Sequence, residues 1–209
     1  MHTESNPCPH CADLRHQLSD KDLEIQLLLA KIGDLVRHDA PTGAFNRRAL
    51  IEMLASELQR SQRTGHPFCF AMIGLDHFST VNDRYGPAAG DAVLKTVSDS
   101  AIKLLRVLDR FGRVGGDRFG IVMPATWLDK GVIAMGRLRT AVAACGLDNI
   151  APEFVLTFSA GITTNAFGDS AESIIKRAEK ALFQAKQEGR NRTVPAEEAL
   201  PDALPDDLA

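Results

Sequence analysis

Apolar positions fall into three regimes along the chain. Near the N-terminus, Cys11, Leu14, Leu18, Ile25, Leu28, Ile32 and Leu35 recur at alternating spacings of three and four, with Lys21 as the one polar intruder. This a/d heptad register predicts a long helix with an apolar seam. An isolated helix of that length is marginal in water, so the seam needs a partner. The expected partner is a second copy, in a parallel coiled-coil homodimer through residues 11–35. The alternative is a helix folded back on its own domain.

From 39 to 194 the pattern alternates between helical and strand periods. A helix is expected after Asn46-Arg47-Arg48, and a strand in the apolar run Phe68–Leu75. Val93, Leu94, Val97, Ala101, Leu104, Leu105 and Leu108 mark an amphipathic helix. Two short apolar runs, Phe111–Val114 and Phe119–Met123, flank Gly115-Gly116 and read as a hairpin. A helix near 129–145, a strand near Phe154–Thr163 and a helix from Ala171 to Glu188, with Gly189 as its C-cap, complete the segment. The order contains a βαββαβ core, so the expected fold is α+β and ferredoxin-like, of palm type. The third regime, 195–209, holds three prolines and five acids with little periodicity and is expected to be a disordered tail. The expected domains are therefore 1–38, 39–194 and 195–209.

Composition narrows the function classes. With 209 residues, 44% hydrophobic and 24% charged, the chain can bury its own core without disulfides. No apolar run approaches bilayer length, and the N-terminus lacks a basic segment followed by an apolar stretch. A cytoplasmic protein that neither enters membranes nor is exported is expected. Net charge is -3, and the acids of 195–209 leave +2 for the remainder. Neither value fits a binder of duplex nucleic acid.

The candidate chemistry centres on Arg106-Val-Leu-Asp109-Arg-Phe-Gly-Arg113-Val-Gly115-Gly116-Asp117-Arg118-Phe119. Glycines at a hairpin tip let a phosphate approach the backbone, and the acid after them can face a metal or phosphate. Taken alone, such tips also occur in structural hairpins. Likewise Arg106 and Asp109 would ordinarily be a surface ion pair worth under about 1 kcal/mol. Lys186 and Arg190 would ordinarily be a solvated basic helix end.

Five motifs in order resemble the bacterial GGDEF family, the diguanylate cyclases and their degenerate relatives. They are Asp39-Ala-Pro-Thr42-Gly-Ala-Phe-Asn46-Arg47-Arg48, Leu75-Asp76-His77-Phe78-Ser79-Thr80-Val81-Asn82-Asp83-Arg84-Tyr85-Gly86 with Gly90-Asp91, the Gly115-Gly116 segment, Ser159-Ala-Gly161-Ile, and Ala181 through Asn191. The resemblance implies a reaction joining two GTP molecules into cyclic di-GMP across a dimer, with Mg²⁺ on the phosphates. It assigns Gly115, Gly116, Asp117 and Arg118 to the catalytic signature. It also assigns Phe78, Asn82 and Asp91 to the guanine, and Lys186 and Arg190 to the triphosphate.

The same resemblance implies a dismantled metal site. The first metal carboxylate of the family falls on Gly74, and the signature's glutamate is Arg118. Asp117 and the Leu75 carbonyl are the remaining ligands, too few for the oxygen shell Mg²⁺ takes. An arginine about 5 Å from Mg²⁺ would repel it by roughly 6–7 kcal/mol at an effective dielectric of about 20. Ser79 replaces a family lysine. By contrast, Arg106 and Asp109 match the family's R-x-x-D inhibitory motif, which binds cyclic di-GMP, and Arg137 stands where a further arginine is often supplied.

These implications favour a catalytically impaired cyclic di-GMP receptor that relays the signal to an unknown protein partner. The alternatives are a weak diguanylate cyclase, and a GTP-binding module in which Arg118 substitutes for the metal's charge. Cys8-Pro9-His10-Cys11 remains open between inert thiols, a Zn²⁺ site shared across a dimer, and a redox pair.

Overall fold

The computed structural model describes residues 9–35, 37–147 and 154–196. The chain divides into two compact units between Arg37 and His38. The first holds helix α1 (Pro9–Leu35). Along it the seam residues Leu14, Leu18, Ile25, Leu28 and Ile32 are all exposed, by 45–65%.

In the second unit the elements are α2 (Arg47–Thr64), β1 (Cys69–Leu75), α3 (Phe78–Tyr85), α4 (Pro87–Leu104), β2 (Arg110–Gly115), β3 (Arg118–Met123), α5 (Leu128–Ala143), β4 (Phe158–Thr164), α6 (Ala171–Gln187) and β5 (Thr193–Ala196). The sheet order is β2-β3-β1-β4-β5. The first four strands pair antiparallel in the ferredoxin-like arrangement, and β5 adds to the β4 edge in parallel.

Strand alternation divides the core. Cys69, Ala71, Ile73 and Leu75 face the cluster containing Val93, Leu94 and Val97 of α4 and Met135 and Leu138 of α5. Phe70 and Met72 face Leu50 and Leu54 of α2 and Ile174 and Leu182 of α6. Gly74 continues the second series, so it faces α6. Helix α2 begins where the Asn46 side chain accepts from the Ala49 N–H at 2.9 Å and ends at Gly65, φ +70°. Helix α6 begins with a capping box between Ser170 and Ser173.

Several details differ from the sequence expectation. Strand β5 crosses the boundary set at 194: Pro195 lies in an edge strand, where a missing N–H is tolerated. Residues 197–209 lie outside the described residues. Helix α4 stops at Leu104, and Leu108 is exposed in the following turn instead of on its apolar face. Helix α3 is an added element. Among the described residues, no helix is long and apolar enough to cross a membrane.

Candidate functional site

The hairpin tip is fixed from two sides. Gly115 and Gly116 have φ of +146° and +55°, conformations that side chains disfavour. Arg113, beside a bulge in the β2–β3 pairing, donates to the Gly116 carbonyl from Nε at 3.1 Å and Nη2 at 2.9 Å. Its Nη1 reaches Asp39 at 3.3 Å. The Leu75 N–H donates to the Asp117 carbonyl at 3.2 Å, which seats the tip against the end of β1.

Beside this junction opens a cleft of about 520 Å³, walled by Leu75, His77, Phe78, Ser79, Asn82, Gly116, Asp117, Lys186 and Arg190. Of the sequence-assigned residues, Gly116 and Asp117 of the tip, Phe78, Asn82, Lys186 and Arg190 therefore meet in one place, while Gly115 does not line it. Asn82 lies against Gly90: a Cβ there would fall 1.9 Å from the Asn82 Oδ1. Asp91, the next residue, is exposed and does not line the cleft itself.

Lys186 and Arg190 do not meet by helical spacing, because α6 ends at Gln187. Arg190 and Asn191 instead adopt left-handed conformations, φ +62° and +43°. This turn is held by the Arg190 N–H on the Ala185 carbonyl, 3.0 Å, and the Asn191 N–H on Asp76 Oδ2, 3.0 Å. Buried Asp76 also accepts from the Thr157 and Ser159 hydroxyls at 3.0 and 2.8 Å. Its four-way anchoring role, which also includes its own N–H on the Thr157 carbonyl, escaped the sequence reading. The partners lie 81 to 115 residues away along the chain, with no local signal.

The residues present do not fit a divalent metal. Gly74 offers no donor, and its bare Cα leaves the space that Lys186 fills: a Cβ there would sit 2.9 Å from Nζ and 3.0 Å from Cε. Nζ contacts the Leu75 carbonyl and Asp117 Oδ2, each at 3.4 Å. The two remaining oxygen ligands thus already face an ammonium. Arg118 ion-pairs with Glu179 of α6 at 3.6 Å and is not among the residues that line the cleft.

The second candidate region lies at the far end of α4. Arg106 and Asp109 sit in the turn after the helix, not on a helical face. Asp109 Oδ2 accepts from the Arg106 N–H at 2.9 Å, leaving the Arg106 side chain exposed. Burial pushes the Asp109 carboxyl above its ordinary range, partly offset by that hydrogen bond and by the charges of Arg106 and Arg110. Both residues line a depression of about 400 Å³ with His38, Phe45 and Phe111. Arg137 lines a separate, shallower one beside Leu104.

Cys8 and the side chain of Cys11, on which the Zn²⁺ and redox readings fall, lie outside the described residues. Cys69 is a buried core thiol, pushed up to about 12 by burial and by the charge of Asp129.

A family model described as "Diguanylate cyclase, GGDEF domain" matches residues 36–192. The diguanylate cyclase DgcP of Pseudomonas aeruginosa is 40% identical over 154 residues, covering 74% of this chain and 23% of that protein. The probable diguanylate cyclase DgcC of Escherichia coli is 33% identical over 156 residues, covering 74% of this chain and 42% of that protein. The chain thus spans less than half the length of these curated relatives. Among solved structures, the diguanylate cyclase SiaD of Pseudomonas aeruginosa, in complex with its activator SiaC, superposes with a TM-score of 0.74 at 32% identity, over 90% of this chain and 72% of that one. The coiled coil and GGDEF domain of DgcB from Caulobacter crescentus, in complex with c-di-GMP, gives 0.74 at 26% identity, over 88% and 99%. The motifs, the strand order and the family model agree, and this chain belongs to the GGDEF family.

Proposed function

We propose that this chain is a degenerate GGDEF-domain protein that reads cyclic di-GMP through Arg106 and Asp109 and does not make it. One contrast carries the reading. Lys186 lies between Leu75 O and Asp117, where a catalytic cation would be held, while the Arg106–Asp109 turn is formed and open to solvent. An arginine fork suits guanine O6 and N7, and a carboxylate accepts from guanine N1–H and N2–H. The protein acts as a homodimer through α1 and passes its state to a protein partner. Arg137, which lines the separate depression beside Leu104, supplies a further arginine to the ligand.

Calorimetric titration of nucleotide-free protein with cyclic di-GMP tests this. Arg106→Ala is the informative variant, because the turn is held by the backbone N–H and carbonyl of Arg106 and not by its side chain. The expected result is saturable binding that persists in EDTA and weakens at least about tenfold, or 1.4 kcal/mol, in that variant. Absence of binding at high micromolar cyclic di-GMP overturns the proposal.

A second reading, a GTP-binding module, is favoured by one specific observation: Asn82, Phe78, Lys186 and Arg190 converge on one cleft. The two readings are compatible, since they use different surfaces.

A further inference from the structure

We infer that the cleft binds a nucleoside triphosphate without a divalent cation, the Lys186 ammonium standing in for the metal. The inference deepens the GTP-module reading and rests on it, not on the receptor reading. Gly74 is the first support. On the face of β1 that looks at α6, it is the one residue whose missing side chain gives Lys186 its position, with Nζ 2.9 Å from where a Cβ would be. The second is the company Nζ keeps. The Leu75 carbonyl and the Asp117 carboxylate both lie 3.4 Å away, two hard oxygens of the kind that coordinate Mg²⁺.

An ammonium carries three donors. Among the described residues two of them meet these oxygens, and the third remains for a ligand in the cleft. The electrostatics agree. Among the described residues Asp117 is the one carboxylate on the cleft wall, and it is paired by Lys186, so an entering polyphosphate meets Lys186 and Arg190 with no unpaired acid of that wall opposing it. A fixed cation on α6 thus does two things a bound metal would do: it neutralises Asp117 and it faces the phosphates. It does not supply the double charge or the open coordination positions that activate a hydroxyl.

The test is GTP binding by calorimetry in EDTA and in excess Mg²⁺, with the wild type, Lys186→Met and Gly74→Asp. The wild type is expected to bind with affinities within about threefold in the two buffers. Lys186→Met is expected to lose about tenfold or more in EDTA, equal to 1.4 kcal/mol, and to regain part of it in Mg²⁺, because Asp117 and Leu75 O are then free. Gly74→Asp, whose carboxylate competes for Lys186, is expected to make binding Mg²⁺-dependent. Wild-type binding abolished by EDTA overturns the inference and leaves the nucleotide cleft standing. Equal weakening of Lys186→Met in both buffers reduces Lys186 to a phosphate contact and also overturns it. Absence of GTP binding in either buffer removes the nucleotide cleft itself.

Discussion

Two carboxylates of the second unit are tuned in opposite directions, and each shift has a measurable consequence. Burial raises Asp109 above the usual carboxylate range, near 4. Recognition of guanine N1–H and N2–H needs the ionised form, so cyclic di-GMP affinity should fall as pH drops through this raised value. Titrations across an acidic pH series should show that fall. Asp109→Asn, whose amide oxygen still accepts from the Arg106 N–H, should bind more weakly near neutrality and lack the pH dependence. Asp169 is the reverse case. Burial would raise it, but hydrogen bonds from Arg177, Ser173 and the Ala166 N–H, with the Arg177 charge, outweigh burial and hold it low. The pair is nearly buried, 16% and 3% exposed, and bidentate at 3.0 and 2.6 Å. A depressed folded value stabilises above the unfolded pKa near 4, and that stability is lost as pH falls through the folded value. Asp169→Asn should therefore cost about 3 kcal/mol at neutral pH, and denaturant titrations should show the gap to wild type narrowing on acidification.

The cleft depends on how closely α6 lies against the sheet. A Cβ on Gly161 would fall 2.1 Å from the Ala178 carbonyl and 2.3 Å from the Leu182 amide, backbone atoms that cannot swing aside. Gly161→Ala should push α6 off β4 and carry Lys186 and Arg190 with it. The expected readout is a stability loss of several kcal/mol, at or above about 4, or failure to fold; a thermal melt unchanged from wild type would contradict the packing described. This close approach explains a glycine that the sequence shows only as part of a motif. At the level of elements the chain was largely legible: continuous apolar runs and helical patterns located β1, the β2–β3 hairpin, α5 and α6 to within a few residues, and the start of α2. Strand β5 was obscured because Pro195 and the acids beyond it read as a tail, and only the edge of β4 gives a proline there a place. The ion pairs of the site were the least legible. Lys186 meets Asp117 across 69 residues, and Arg118 meets Glu179 across the space between β3 and α6. Spacing within one segment cannot report such pairs.

At the scale of the whole molecule, the chain joins a GGDEF domain to a helix whose described apolar seam residues are exposed. Leu18 and Leu28, 65% and 51% exposed, lie at seam positions that a parallel homodimer would bury. Sedimentation at micromolar concentration should give a dimer, and Leu18→Glu with Leu28→Glu should give a monomer whose second unit melts at the same temperature. A double variant that keeps the wild-type mass would contradict dimerisation through α1. The receptor reading turns on whether the protein forms cyclic di-GMP. Nucleotide-stripped protein incubated with GTP and Mg²⁺ or Mn²⁺, with products separated by chromatography, measures it directly. The wild type is expected to form no cyclic di-GMP, because the Lys186 ammonium faces the Leu75 carbonyl and Asp117 and Gly74 and Arg118 supply no carboxylate. Cyclic di-GMP formed by the wild type and abolished by Asp117→Ala would overturn the receptor reading.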